Sequence, residues 1–374
     1  MAGIYIHIPF CKQRCTYCDF HFSTTYSSYR ERMIDNLIQE LNIRKGYLLN
    51  ESIETIYLGG GTPSLLSKKE LNRILSTIYS NYNVVEKVEC TLEANPDDIT
   101  IYKAKEWLNE GVNRLSIGLQ SFKQADLDWM NRAHNEDESL ESVLIAKRAG
   151  FTNITVDLMY GLPDLSLEEW NKHIDIVLDL GVQHISAYCL TVEPKTVLSN
   201  WVKNNKIAAA NEDQQSEQFL HLVEKLEAAH FNQYEISNFG LNGNESKHNS
   251  NYWKGQTYLG IGPSAHSFNG FQRDWNVSNN QTYMKAMEQQ ERCFETEVLS
   301  SENRYNELIM TGLRTAYGVD LKQLNSILSA DEEFKLKVSG FIKNDWMIKS
   351  PTHIFLTKEG RLRADYIASE LFKS

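Results

Sequence analysis

A chain of 374 residues, 41% of them hydrophobic, can bury a large core and exceeds the usual single domain, so one large α/β domain with a smaller C-terminal one is expected. Its 49 acidic against 38 basic residues give a formal net charge of −11, which argues against a phosphate-neutralising protein; no stripe of lysine and arginine stands out. Six cysteines, no apolar run near the ~20 residues needed to cross a bilayer, and an N-terminus without a basic leader read as a soluble cytoplasmic protein in a reducing compartment.

From the N-terminus, β-branched runs at 3–8, 54–59, 86–93, 112–118, 153–159 and 183–189 alternate with helical periodicity at 28–46, 67–80, 100–110, 137–149 and 166–180. In the fourth of these helices Leu140, Val143 and Leu144 form a stripe, and Lys147-Arg148 precede a terminating Gly150. Asn95-Pro96-Asp97-Asp98 reads as a loop, with Thr100 or an aspartate capping the next helix. Six βα repeats predict a parallel sheet with helices outside, and six rather than eight predicts an incomplete, TIM-like (βα)6 barrel. Past residue 190 the alternation stops. A polar connection at 195–215 leads to a helix at 212–230 and a strand candidate at 232–237, and 238–270 reads as ordered loops. Helical patterns at 303–317, 320–328 and 331–344, a hairpin of 346–349 with 353–357, and a last helix at 358–372 resemble a winged helix. Glu332 and Glu333 make the third of these helices poor for DNA, so packing or partner binding is expected. The expected division is 1–195, the barrel core; 196–300, a barrel extension and loop region; and 301–374, the winged-helix-like domain.

Cys11, Cys15 and Cys18 form a C-x-x-x-C-x-x-C trio in the loop after the first strand. Iron–sulfur clusters usually take four thiolates, so a lone trio suits a 4Fe–4S cluster with one iron open to a non-protein ligand. Zinc, with His7 or His21 as the fourth ligand, is the main alternative, but structural zinc usually pairs C-x-x-C with a second ligand pair, and Cys90, Cys189 and Cys293 stand alone. A disulfide framework fits a chain of this size less well.

Barrels built from parallel strands gather their sites where the strands end, because the βα loops open there. Gly59-Gly60-Gly61-Thr62-Pro63 follows the second strand, where glycines admit close backbone approach to a ligand; a tight turn is the plainer reading. Glu93 ends the third strand, Gln120 and Ser121 the fourth, Asp157 the fifth and Tyr188 the sixth. Any one of these alone is a helix cap or a solvated loop residue, and Arg132 alone a surface arginine; together they make a polar rim beside the thiols.

With those residues placed, the chain resembles, from Tyr5 to the C-terminus, the radical S-adenosylmethionine (SAM) family of oxygen-independent coproporphyrinogen III dehydrogenases and HemW-type haem chaperones. The resemblance rests on Tyr5-x-His-Ile-Pro-Phe-Cys11, Gly59-Gly-Gly-Thr-Pro63, Glu93-Ala-Asn-Pro96, Asn113-Arg-Leu-Ser-Ile-Gly-Leu-Gln120 and Asp157-Leu-Met-Tyr-Gly-Leu-Pro163. It implies a 4Fe–4S cluster on Cys11, Cys15 and Cys18, with SAM contacts at Tyr5, Tyr17, Gly60, Gly61, Thr62, Glu93, Gln120, Arg132 and Asp157; Tyr17 stands where the dehydrogenases commonly carry Phe. Three features point to the chaperone branch, and so away from dehydrogenase activity. Phe20 replaces a further cysteine, only ten residues precede Cys11, and His248-Asn-Ser-Asn-Tyr-Trp253 fits an H-N-x-x-Y-W motif.

That branch implies haem as cargo and acceptor haemoproteins as partners. His248 would be an axial ligand, with Tyr252 and Trp253 offering flat surface to a porphyrin. The weaker second ligand is His266, which Ser267 follows where the pattern has glycine. Dimerisation is implied by the resemblance alone, and membrane contact would come only at delivery. The rivals are radical decarboxylation of coproporphyrinogen III propionates to vinyl groups, and radical-SAM chemistry on tRNA or another substrate.

Overall fold

Alternation along the first strand, β1 (Ala2–Ile8), decides the layering: Ile4, Ile6 and Ile8 are fully buried in a core shared with Met33, Ile34 and Leu37 of the first helix, while Tyr5 and His7 point to the opposite face. The computed structural model describes residues 1–208 and 211–373. In chain order the barrel half comprises β1, α1 (Arg30–Ile43), β2 (Ile53–Gly60), α2 (Lys68–Asn81), β3 (Val84–Ala94), α3 (Ile101–Asn109), β4 (Arg114–Gln120), α4 (Gln124–Trp129), α5 (Glu136–Ala149), β5 (Ile154–Tyr160), α6 (Leu167–Asp179) and β6 (His184–Cys189). Every expected βα unit is present. Capping boxes Ser67/Glu70, Asn135/Glu138 and Ser166/Glu169 start α2, α5 and α6, Thr100 caps α3, and Gly150 ends α5 in the left-handed region at φ 117°.

There follow α7 (Val197–Lys203), α8 (Glu212–Ala228), β7 (Asn232–Gln233), β8 (Asn238–Gly240), α9 (Lys247–Trp253), β9 (Thr257–Ile261), β10 (His266–Phe268), β11 (Gln272–Asn276), α10 (Asn280–Glu288) and β12 (Phe294–Val298). Two expectations change here. The strand expected at 232–237 is two short antiparallel strands, β7 and β8, joined by a turn in which Glu235 accepts the Ser237 amide. The stretch 238–270, expected as loops, holds α9 and a seventh parallel strand, β9, pairing with β1 from Ala2↔Thr257 to Ile6↔Ile261. Five residues containing a glycine carry too little periodicity to announce that strand.

The main sheet runs β12-β11-β10-β9-β1-β2-β3-β4-β5-β6-β8-β7, with β9 and β1–β6 parallel. Its register sets Tyr5 beside Tyr57, Tyr57 beside Thr91, Glu93 beside Ser116 and Asp157 beside Ser186. One face of the sheet is therefore aliphatic and helix-covered, and the other lines a polar interior. The antiparallel extension is tied down by a buried ion pair, Arg44 Nη2 to Asp274 Oδ2 at 3.0 Å, and by Glu40, which accepts from the Gly262 amide, the Asn276 amide and the Tyr283 hydroxyl.

A second, separate core holds α11 (Ser301–Leu313), β13 (Val319–Asp320), α12 (Leu321–Ile327), α13 (Glu332–Lys343), β14 (Met347–Lys349), β15 (His353–Leu356), α14 (Lys358–Arg361) and α15 (Ala364–Glu370). Its sheet, β13-β15-β14, with three helices before the hairpin, has the winged-helix-like form expected. The last helix is broken at Leu362-Arg363 rather than continuous. Among the described residues no helix is long and apolar enough to cross a membrane.

Candidate functional site

The cysteine loop leaves β1 at Pro9 and is fastened along its length. Cys11 N–H donates to Ser23 O at 3.1 Å and Ser23 N–H to Pro9 O at 2.9 Å; Thr16 N–H donates to Met130 O at 3.1 Å, and Leu198 N–H to Thr16 O at 2.9 Å. Lys12 reaches Asp97 and Asp98, each at 2.5 Å, and Asn131, itself at φ 56°, donates to Arg14 O at 2.7 Å. The glycine run makes its own close approach. A Cβ on Gly61 would lie 2.6 Å from Phe10 O and 2.8 Å from Ile8 O, and one on Gly60, at φ 104°, 2.5 Å from the His7 ring. The run therefore packs β2 against the root of the cysteine loop, beyond forming a turn.

Cys11, Cys15 and Cys18 line one cavity of about 440 Å³ at the C-terminal ends of the strands, with Tyr17, Gly60, Gly61, Thr62, Glu93, Gln120, Arg132, Asp157 and Tyr188 around it. Burial pushes the Cys11 thiol up to about 11 and the Cys18 thiol up to about 12, so thiolates form there only with a cation to compensate. Thr62 Oγ1 donates to Cys11 Sγ at 3.5 Å and Arg132 Nη1 to Cys15 Sγ at 3.4 Å. Among the described residues no three His, Cys, Asp or Glu side chains converge on one ion. The donor set itself, three thiols lining one cavity, fits an iron–sulfur cluster.

Glu93 accepts from the Tyr57 hydroxyl at 2.8 Å and the Gly60 amide at 3.2 Å; burial still pushes its carboxyl up to about 7. Burial likewise raises Asp157 to about 6 against hydroxyls of Ser186 and Ser116. Arg132 donates through Nη2 to Asn95 Oδ1 at 2.7 Å and Gly118 O at 2.9 Å, while its buried Nε has no partner among the described residues. An unpaired guanidinium N–H and two reluctant carboxylates fit a ligand carrying both a carboxylate and an ammonium group. Gln120 holds φ 69° at a bulge that re-aims the end of β4 into the cavity.

Beneath this mouth lies a second layer. Tyr5 does not line the cavity; its ring stacks on Tyr57 at 6.1 Å and its hydroxyl meets His7 Nδ1 at 3.2 Å. Lower still, His248 is 2% exposed at the start of α9. Its Nδ1 meets Thr55 Oγ1 at 2.7 Å, its Nε2 meets Tyr252 OH at 3.0 Å, and its ring stacks on Tyr57 at 5.0 Å. Glu89 accepts the Lys247 and His248 amides at 3.2 and 3.0 Å, holding α9 across the barrel floor. Desolvation lowers His248 to about 3, so the ring is neutral. With both nitrogens engaged and no access, His248 is not available as a haem ligand in this conformation.

Comparison with known proteins agrees with this layout. The radical SAM superfamily profile matches residues 5–177 and the HemN C-terminal domain profile residues 299–363. Heme chaperone HemW of Bacillus subtilis (strain 168) is 34% identical over 366 residues, covering 97% of both chains. The chain belongs to the HemW family. Heme chaperone HemW of Lactococcus lactis is 34% identical over 358 residues, covering 95% of this chain and 93% of the relative. Coproporphyrinogen III oxidase HemN from Escherichia coli, a radical SAM enzyme, has the same fold: TM-score 0.86 at 20% identity, over 100% of this chain and 90% of that one.

In this HemW-family chain the mouth gathers the residues expected there except Tyr5, which supports it from below, and Ser121. Ser121 turns away and donates to Asp126 at 2.7 Å, and Tyr188 lines the cavity. His266 stands apart on β10, exposed and stacked on Trp275 at 6.3 Å. Sequence reasoning missed Asn95, which orients Arg132, and Lys12, which ties the thiol loop to the loop after β3; the Asn-Pro-Asp-Asp run was the available signal.

Proposed function

We propose that the protein is a cytoplasmic haem chaperone on a radical-SAM scaffold, which binds haem and transfers it to acceptor haemoproteins. The observation that carries this reading is the 34% identity to a haem chaperone across 97% of both chains. Phe20 in place of a further cysteine and the H-N-x-x-Y-W run at 248–253 support it. Cys11, Cys15 and Cys18 would hold the 4Fe–4S cluster, which when bound supplies an electron to the SAM sulfonium. Glu93 and Asp157 would take the ammonium and ribose hydroxyls of SAM, Arg132 its carboxylate, and Gly60, Gly61 and Thr62 its backbone contacts, with Tyr17 and Gln120 closing the cavity. Tyr5 acts through Tyr57 and His7 rather than by contact. Ligation of haem by His248 would require α9 to leave the floor, whereas His266 is exposed as it stands. A homodimer, and membrane contact only at delivery, complete the reading.

The test is anaerobic incubation of the cluster-reconstituted protein with coproporphyrinogen III, SAM and a reductant, with transfer of haem to an apo-haemoprotein measured in parallel. Transfer without protoporphyrinogen is expected. Protoporphyrinogen formation would instead place the protein in haem synthesis.

A further inference from the structure

Beside the thiol cavity, and sharing Cys18, Asp19 and Phe20 with it, lies a groove of about 570 Å³, the size of a small-molecule site. It crosses the barrel mouth from the second half of the cysteine loop to the segment after β6. Its walls combine three chemistries that none of the roles above uses. Phe20, 68% exposed, and Phe22 present aromatic surface. Arg14 and Lys195 stand at one side; the Arg14 guanidinium donates to the Lys195 carbonyl at 3.4 Å, and neither cation forms an ion pair among the described residues. Asp19 is the single carboxylate in the lining, so the groove keeps a cationic balance in a chain of net charge −11.

His21 supplies the third. Its Nε2 meets Asn280 Oδ1 at 2.7 Å, and Asn280 Nδ2 donates to Tyr29 OH at 3.1 Å. A carbonyl oxygen accepts only, so Nε2 is the donor in this contact, and Nδ1 has no protein partner among the described residues. Metal-ligating histidines are commonly oriented in this way, by donating the other ring N–H to a fixed acceptor. His248 lacks a free nitrogen and His266 lacks an orienting partner.

Resting on the haem-chaperone reading, we infer that this groove is the docking site for the iron porphyrin. His21 Nδ1 ligates the iron, Phe20 and Phe22 cover the macrocycle, and Arg14 and Lys195 pair with its two propionates.

The experiment titrates the full-length protein with ferric haem and with its dimethyl ester, following the Soret band and thermal melting together. His21→Ala and His21→Gln should each weaken haem at least tenfold and change the ligation spectrum, with the Gln variant melting close to wild type. Arg14→Glu with Lys195→Glu should weaken haem at least tenfold and leave the ester unaffected. Wild-type affinity and spectrum in both His21 variants would overturn the assignment while leaving haem carriage standing, as would loss of the spectrum in His266→Ala alone. Absence of haem binding by the wild-type chain would overturn the chaperone reading and the groove together.

Discussion

The mouth and the floor of this barrel are both buried and polar, yet they treat their polar groups in opposite ways. At the floor His248 and His184 have both ring nitrogens paired, to Thr55 and Tyr252 and to Thr155 and Tyr234. At the mouth Arg132 keeps an unpaired N–H and two carboxyls are held above their ordinary values. The floor has its own unpaired atoms among the described residues, Arg114 Nε, Thr91 Oγ1, Ser250 Oγ and Asn251 Nδ2, but none of these residues lines the cavity. A buried polar residue is therefore a poor sign of function by itself; a buried polar residue left short of partners at a cavity is a better one.

The sharpest break in this comparison comes from the thiols. Cys15→Ala should abolish iron and sulfide retention after anaerobic reconstitution, whereas Cys90→Ala, away from the mouth, should leave both unchanged. Next in size, His248→Ala should cost about 2–4 kcal/mol in denaturant unfolding, because it opens a cavity and strands Thr55 and Tyr252. A drop in haem binding without any loss of stability would instead mean that His248 meets haem directly. Gly61→Ala forces a Cβ against two backbone carbonyls and should cost about 1–3 kcal/mol, with cluster retention falling in step.

The two layers also diverge with pH. Glu93 and Asp157 have folded values near 7 and 6 against ordinary values of 4.5 and 3.8, so the folded state holds extra protons in those windows and their contribution to stability falls as pH rises through them. His248, at about 3 against 6.5, does the reverse: the unfolded state binds the extra proton, and stability is lost as pH falls below about 6.5. Melting curves of Glu93→Gln and wild type between pH 4 and 8 should converge at the acid end and separate above it. SAM affinity should rise through about pH 7 in the wild type and lose that dependence in the variant. The smallest effect is expected for Tyr57→Phe, about 1 kcal/mol, with the SAM pH profile displaced upward because a donor to the Glu93 carboxylate is gone.

The mouth was legible in the sequence because its residues end strands, and strand ends in a parallel barrel converge whatever the details of packing. The thiol spacing and the glycine run are local signals of the same kind. The floor was not legible. His248 lies 193 residues from Thr55, and α9 comes beneath the sheet through long-range contacts, the pairing of β8 with β6, that of β9 with β1 and the Glu89 carboxylate. Strand β9 is five residues long, in a stretch rich in glycine and asparagine, so nothing local predicts its partner. The motif thus implies a haem ligand at His248 where the tertiary structure buries the ring with both nitrogens engaged. The split of the last helix at Leu362-Arg363 and the hairpin of β7 with β8 were likewise set by packing rather than by periodicity.

The cysteine loop returns to the strand it left: His21 O meets His7 Nε2 at 2.8 Å, and Ser23 closes on Pro9. Ordering a residue costs roughly 1–2 kcal/mol in backbone entropy, and these closures within the chain offset part of that cost. The two ends of the thiol loop are thus moored on one strand, so a change at His7 or Ser23 would act on the spacing of all three cysteines at once.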